Sequence, residues 1–106
     1  MPSNNILTST PAGKRNTQFR HEEPPQYRVV LHNDDFTTMD FVVMLLQTVF
    51  YKDEAEAEAI MLAIHRQGKG TAGIYPYDIA QSKTAKSKFM ARTSGYPLQV
   101  TCEPVE

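Results

Sequence analysis

Residues 27–41 read Tyr27-Arg28-Val29-Val30-Leu31-His32-Asn33-Asp34-Asp35-Phe36-Thr37-Thr38-Met39-Asp40-Phe41. The change of pattern within them decides the fold. Tyr27 to His32 is rich in β-branched and aromatic residues and is bounded by Pro24-Pro25 before and Asn-Asp-Asp after, which reads as a strand. Met39 to Tyr51 (MDFVVMLLQTVFY) is apolar almost all round and long enough for a helix buried on most sides. Between them Thr37 is the expected N-cap, with Asp40 at the third helical position in a variant of the capping box.

Downstream, Asp53 to Arg66 reads as a second helix. Its first turns hold Asp53, Glu54, Glu56 and Glu58 and its last holds Arg66, which suits the macrodipole. Ala57, Ile60, Met61 and Ile64 supply an apolar stripe at i, i+3, i+4 and i+7. Gly68 is the expected left-handed cap. Ala72 to Tyr75 makes a short strand stopped at Pro76, and Asp78 opens a third helix reaching about Thr93, with Lys83, Lys86, Lys88 and Arg92 towards its C-terminal half. After Gly95 and Pro97, apolar Leu98, Val100 and Cys102 alternate with Gln99, Thr101 and Glu103, the period of a half-buried last strand. The order β-α-α-β-α-β has too few alternating strands for a doubly wound sheet. It predicts an α+β domain: a small, three-stranded, mostly antiparallel sheet packed against three helices.

Upstream the composition changes. Of the apolar residues that make up 41% of the 106-residue chain, only Met1, Ile6, Leu7, Ala12 and Phe19 fall within the first 26, together with four of the seven prolines. Residues 1–26 therefore read as a flexible extension too polar to order itself, and residues 27–106 as one folded domain. The extension has the composition of a dispensable end and equally of a tether that reaches a partner. No run of 18 apolar residues spans a membrane, and Ile6-Leu7 is too short for a secretory h-region. A single cysteine, Cys102, excludes an internal disulfide and a cysteine-built zinc site, so a reducing cytoplasm is the expected location. A net charge of −1 argues against nucleic acid or an anionic membrane as partner.

The chemistry gathers at two places. Asn33, Asp34 and Asp35 are turn residues that commonly bond their own backbone, yet they also put three side-chain acceptors between a strand and a helix, where loops carry function. His65 follows the apolar stripe of the second helix by one turn. Carboxylates with an imidazole admit two readings. One is a metal site, for which no second histidine stands at ligand spacing, since His21 and His32 lie elsewhere. The other is capture of a peptide's α-ammonium group, whose three N–H donors an amide oxygen, a carboxylate and an imidazole nitrogen can saturate. Met44 and Met90 read as core. Met39 and Met61 adjoin the polar trio, where flexible thioethers would line an adaptable apolar hole. Acceptors beside such a hole point to a reader of N-terminal residues. No glycine-rich phosphate loop, nucleophile elbow or exposed reactive cysteine supports an enzyme, and no cofactor or metal is expected.

These residues resemble those of the ClpS family, the bacterial adaptor that delivers N-degron substrates to the ClpAP protease. The resemblance rests on YRVVLHNDDFTTMDF (27–41), MLAIHRQG (61–68), Gly73-Ile74-Tyr75, DIAQSK (78–83) and Pro97-Leu98, spread in family order over the whole domain. It implies that Asn33, Asp34 and His65 hold the substrate's α-amino group, Asp34 through water. It also implies that Asp35, Thr37, Met39, Val42, Met61, Ile64 and Leu98 wall the side-chain pocket, with Met39 as a gate against β-branched residues. Substrates would begin with Leu, Phe, Tyr or Trp. Asp78 and Lys83 match positions that dock on the N-terminal domain of the ClpA unfoldase, and the protein would act as a monomer. One departure stands out: the family usually has proline after the loop threonine, where this chain has Thr38, and its loss predicts a looser loop-to-helix junction. Two rival classes stay open, a metal-dependent hydrolase built on Asp34, Asp35 and His65, and an interaction module without N-terminal specificity, like the ribosomal stalk domain of similar fold.

Overall fold

The computed structural model describes residues 23–106. Their order is β1 (Gln26–His32), α1 (Met39–Thr48), α2 (Glu54–Gln67), β2 (Lys69–Pro76), α3 (Tyr77–Thr93) and β3 (Gln99–Pro104). β1 lies between β2 and β3 and is antiparallel to both. The expected α+β architecture and element order are thus observed. Of the extension expected over residues 1–26, the first 22 lie outside the described residues, and Gln26 already belongs to β1.

The strand richest in β-branched residues takes the centre because only there are both of its faces covered. Val29 and Leu31 enter the main core with Val100 of β3, while Val30, on the opposite side of the pleat, is also buried. β2 is longer than expected. It pairs with β1 from Gln26↔Pro76 to His32↔Lys69, and one extra residue is accommodated where Val29↔Gly73 gives way to Val30↔Thr71. The Gly68-Lys69-Gly70 segment is therefore a cap followed directly by a strand. Gly68 is left-handed (φ 92°) and returns its amide to the Ile64 carbonyl. Gly70 sits so close to α2 that a Cβ there would lie 2.8 Å from Ile64 Cγ1.

α1 buries Phe41, Val42, Leu45 and Leu46, then Val49 and Phe50 beyond its last turn. Full burial of each leucine contributes roughly 1.5–3 kcal/mol. Met39 and Met44 remain partly exposed, so α1 has one solvent-facing edge. It also stops before the expected Tyr51. Phe50 turns into the core, and Tyr51 adopts a left-handed conformation (φ 56°) across which the Lys52 amide reaches back to the Leu46 carbonyl, 3.1 Å. Lys83 Nζ of α3 donates to the Val49 carbonyl at 2.6 Å. That ammonium also lies 4.8, 5.2 and 5.8 Å from the ring centroids of Tyr51, Tyr75 and Phe50. A left-handed tyrosine costs about 1–2 kcal/mol, and an exposed cation–π contact returns about 0.5–1.

α3 faces the sheet through Ala80, Thr84, Ser87 and Ala91, small side chains that let helix and sheet approach closely. It begins at Tyr77 directly after β2, and Arg92 in its last turn donates to the Tyr96 and Leu98 carbonyls at 3.0 and 2.8 Å. This fixes the path of the chain into β3.

Candidate functional site

The chain leaves β1 at Asn33, whose amide donates to the Gly68 carbonyl at 2.8 Å. The end of the central strand is thereby clipped to the end of α2, which places the 33–38 loop beside His65. Asp34 organises that loop. Its Oδ1 accepts from the Phe36 and Thr37 amides at 2.8 and 2.7 Å, and its Oδ2 from the Thr37 hydroxyl at 2.7 Å. Burial by itself would raise the Asp34 carboxyl. The Thr37 hydroxyl, the Thr37 and Phe36 amides and the positive Arg92 guanidinium outweigh it and hold the group below its ordinary value.

The helix cap differs from the sequence expectation. With its hydroxyl given to Asp34, Thr37 is not the N-cap. Thr38 is, in extended conformation (φ −76°, ψ 152°), accepting from the Phe41 amide at 3.1 Å. Asp40 is consequently the second helical residue.

Between loop, α1 and α2 lies a cavity of about 260 Å³. Asn33, Asp34, Asp35 and Thr37 of the loop form one side, Met39 and Val42 of α1 another, and Met61, Ile64 and His65 of α2 the third. Nine of the ten residues that the resemblance assigned to the amine site and the side-chain pocket are brought together here. Leu98 is the exception. It is 1% exposed within the core and does not line the cavity, because the Arg92 clamp turns it inward just before β3. Asp78, exposed on the first turn of α3, and Lys83, engaged at the C-terminal end of α1, belong to another region.

A cavity at or below the usual size for small-molecule sites suits one side chain better than a whole compact ligand. Its polar and apolar groups are segregated. Asn33 and His65 are exposed at the mouth, whereas Val42 and Ile64 are buried. Asp34 has about four acceptor positions, and three are already used within the loop, so it can offer one more bond and its charge. No group of three or more His, Cys, Asp or Glu side chains converges in metal-binding geometry among the described residues.

Two supporting residues were not legible beforehand. Arg92 reads in the sequence as a match to the α3 dipole, but it both clamps the 96–98 segment and bears on Asp34. The Tyr96 ring lies 5.0 Å from that of Phe41, and the Thr38 hydroxyl is 3.4 Å from the Tyr96 hydroxyl. Neither contact leaves a periodic signal, since each joins residues far apart in the chain.

A three-stranded α+β scaffold carrying an acceptor-rimmed apolar cavity describes a capture domain. A family model for the "ATP-dependent Clp protease adaptor protein ClpS" matches residues 22–101. The chain is 54% identical over 83 residues to the ClpS adapter of Syntrophus aciditrophicus, covering 78% of each. It is 50% identical over 91 residues to that of Acetivibrio thermocellus, covering 86% of this chain and 92% of the relative. Among solved structures, Agrobacterium tumefaciens ClpS2 bound to L-phenylalaninamide superposes with a TM-score of 0.75 at 34% identity, covering 78% of this chain and all of that one. The chain belongs to the ClpS family. It is an adaptor of the Clp protease and not an enzyme.

Proposed function

We propose that this adaptor captures proteins by a free N-terminal residue with a bulky apolar side chain (Leu, Phe, Tyr or Trp) and delivers them to the ClpA unfoldase, so redirecting the substrate choice of ClpAP. The observation that carries this reading is the segregated cavity, with acceptors at the rim and methionine, valine and isoleucine below. The ligand of the related ClpS2 supports it. L-phenylalaninamide has a free α-amine, a benzyl side chain and an amide where the next peptide bond would be, and therefore stands in for an N-terminal phenylalanine.

In this reading Asn33, His65 and the remaining acceptor of Asp34, through water, hold the ammonium group. Met39, Val42, Met61 and Ile64 enclose the side chain, with Asp35 and Thr37 at the edge and Leu98 supporting from the core. Met39, 46% exposed at the mouth, excludes β-branched residues. Asp78 and the neighbouring start of α3 dock on the N-terminal domain of ClpA, and the N-terminal extension engages the unfoldase during handover. The adaptor works as a cytoplasmic monomer. Among the described residues no helix is long and apolar enough to cross a membrane.

The magnitudes suit reversible capture. Burying a leucine or phenylalanine side chain yields roughly 1.5–3 kcal/mol, and each charge-assisted hydrogen bond roughly 1.5–3. After ordering costs are subtracted, a micromolar affinity, about −8 kcal/mol, is the expected net. A peptide beginning with Phe or Leu should bind, and its N-acetylated twin should not. Equal affinity for the two would overturn the reading. His65→Ala should abolish capture without lowering Tm, and Met39→Ala should admit Val and Ile.

A further inference from the structure

The C-terminal end of α1 presents a feature that the peptide cavity does not use. Tyr51 is non-glycine at φ 56°, and its side chain is 79% exposed. α2 makes its own left-handed ending with Gly68, the residue for which this conformation is free of strain. α1 makes it with an aromatic ring held out in solvent. A strained residue persists only where its surroundings enforce it, and an exposed one is a pointer to function.

Lys83 provides the enforcement. Its ammonium is bonded to the Val49 carbonyl and sits among the rings of Phe50, Tyr51 and Tyr75. Burial raises the Tyr75 phenol, so that ring stays neutral beside it. Lys83 is itself only partly exposed, unlike Lys86 and Lys88 further along the helix. Its charge is already spent within the fold. Ile79, one turn earlier on the same face of α3, is 48% exposed, as is Tyr77. Tyr51 therefore extends an apolar surface that continues from the start of α3, where Asp78 lies.

We infer that Tyr51, and not Lys83, is the contact this face makes with the N-terminal domain of the unfoldase, and that Lys83 is the positioning residue that holds the ring in place. The inference rests on the proposed docking of this face on that domain. A lysine whose ammonium is bonded inside the fold cannot pair with an acidic partner without uncapping α1. An exposed ring can bury itself in an apolar pocket with no such loss.

The test is a double-mutant cycle on binding to the isolated N-terminal domain of ClpA, with Tm and N-degron peptide affinity measured alongside. Tyr51→Gly relieves the strain, so its Tm should hold or rise, and peptide affinity should be unchanged while unfoldase binding falls at least tenfold. Lys83→Met should lower Tm by several degrees and weaken the same binding. In the Tyr51→Gly background Lys83→Met should weaken binding no further, because positioning a ring that is absent has no effect. Wild-type affinity in Tyr51→Gly overturns the inference, and so does an undiminished loss from Lys83→Met in that background, which would make Lys83 the contact. Failure of the unaltered chain to bind the domain overturns the docking reading instead, and the inference with it.

Discussion

The two ends of α1, about 15 Å apart for ten residues, solve the same problem in opposite ways. Each gathers oxygen acceptors. At the C-terminal end the acceptors are carbonyls left over by the helix, and the protein supplies its own ammonium group, Lys83, with three aromatic rings around it. At the N-terminal end the acceptors are the side chains of Asn33, Asp34, Asp35 and His65 around a cavity, and the nearby cation that bears on Asp34, Arg92, is occupied with the Tyr96 and Leu98 carbonyls. One end is closed by an internal ammonium, and in the proposed function the other is completed by an ammonium from outside. The difference explains how a small domain can carry two surfaces: the sealed end is rigid and outward-facing, and the open end is a receptacle.

The sharpest way to break this contrast is to remove the residue that keeps the open end open. Asp34 makes three bonds within the loop. Asp34→Ala should cost about 2 kcal/mol or more, since bonds to a charged group contribute roughly 1.5–3 kcal/mol each but are not additive. It should reduce peptide affinity at least a hundredfold while leaving ClpA binding intact. Asp34→Asn isolates the charge. Because the folded carboxyl lies below its unfolded value of about 3.9, its contribution is fully present above that pH and is lost as pH falls through the folded value. Urea titrations should therefore show wild type more stable than Asp34→Asn at pH 7, with the gap shrinking below about pH 4. A gap that is constant with pH would mean that shape, and not charge, organises the loop.

A smaller change tests whether the open end depends on depth. An alanine Cβ at position 70 would lie 2.8 Å from Ile64 Cγ1, and Ile64 lines the cavity. Gly70→Ala should push Ile64 into that space and destabilise the fold by about 1–3 kcal/mol through overpacking. Peptide affinity should fall in order of side-chain size, roughly tenfold for Trp and less for Leu. The Tyr51–Lys83 end lies outside this contact and should bind its partner as before. Equal losses for Trp and Leu would place the strain in the backbone and not in the cavity.

What the sequence revealed and what it hid divide along the same line. The strand at 27–32, the helix starts and the final strand follow from local periodicity and capping, so they could be read directly. The cavity could be read because its residues cluster in two short motifs, 33–42 and 61–65, each on one side of it. The closed end could not. Nothing local tells that Lys83 bonds a carbonyl 34 residues earlier, so it reads as one more cation in a basic helix. Leu98 shows the converse error. It stands in the right motif, but Arg92 bonds turn it into the core. The early end of α1 was hidden because an apolar run does not show where the backbone turns left-handed.

The finest distinction concerns the junction at Thr38, where relatives commonly carry proline. Its φ of −76° is already within the range proline fixes, so the ring would fit the backbone as it stands. Thr38→Pro would delete the hydroxyl that accepts from the Phe41 amide, a loss of about 1 kcal/mol for an N-cap. It would also restrict the unfolded chain, a gain of about 0.4–1 kcal/mol. The terms nearly cancel, so Tm should move by no more than a few degrees and peptide affinity by less than about threefold. The sign of the Tm change reports which term is larger. A fall beyond the cap's own contribution would mean that the Thr38 hydroxyl also relies on the Tyr96 hydroxyl 3.4 Å away. The open end would then be tied to the β3 entry as firmly as the closed end is tied to α3, and Tyr96→Phe should reproduce that excess loss.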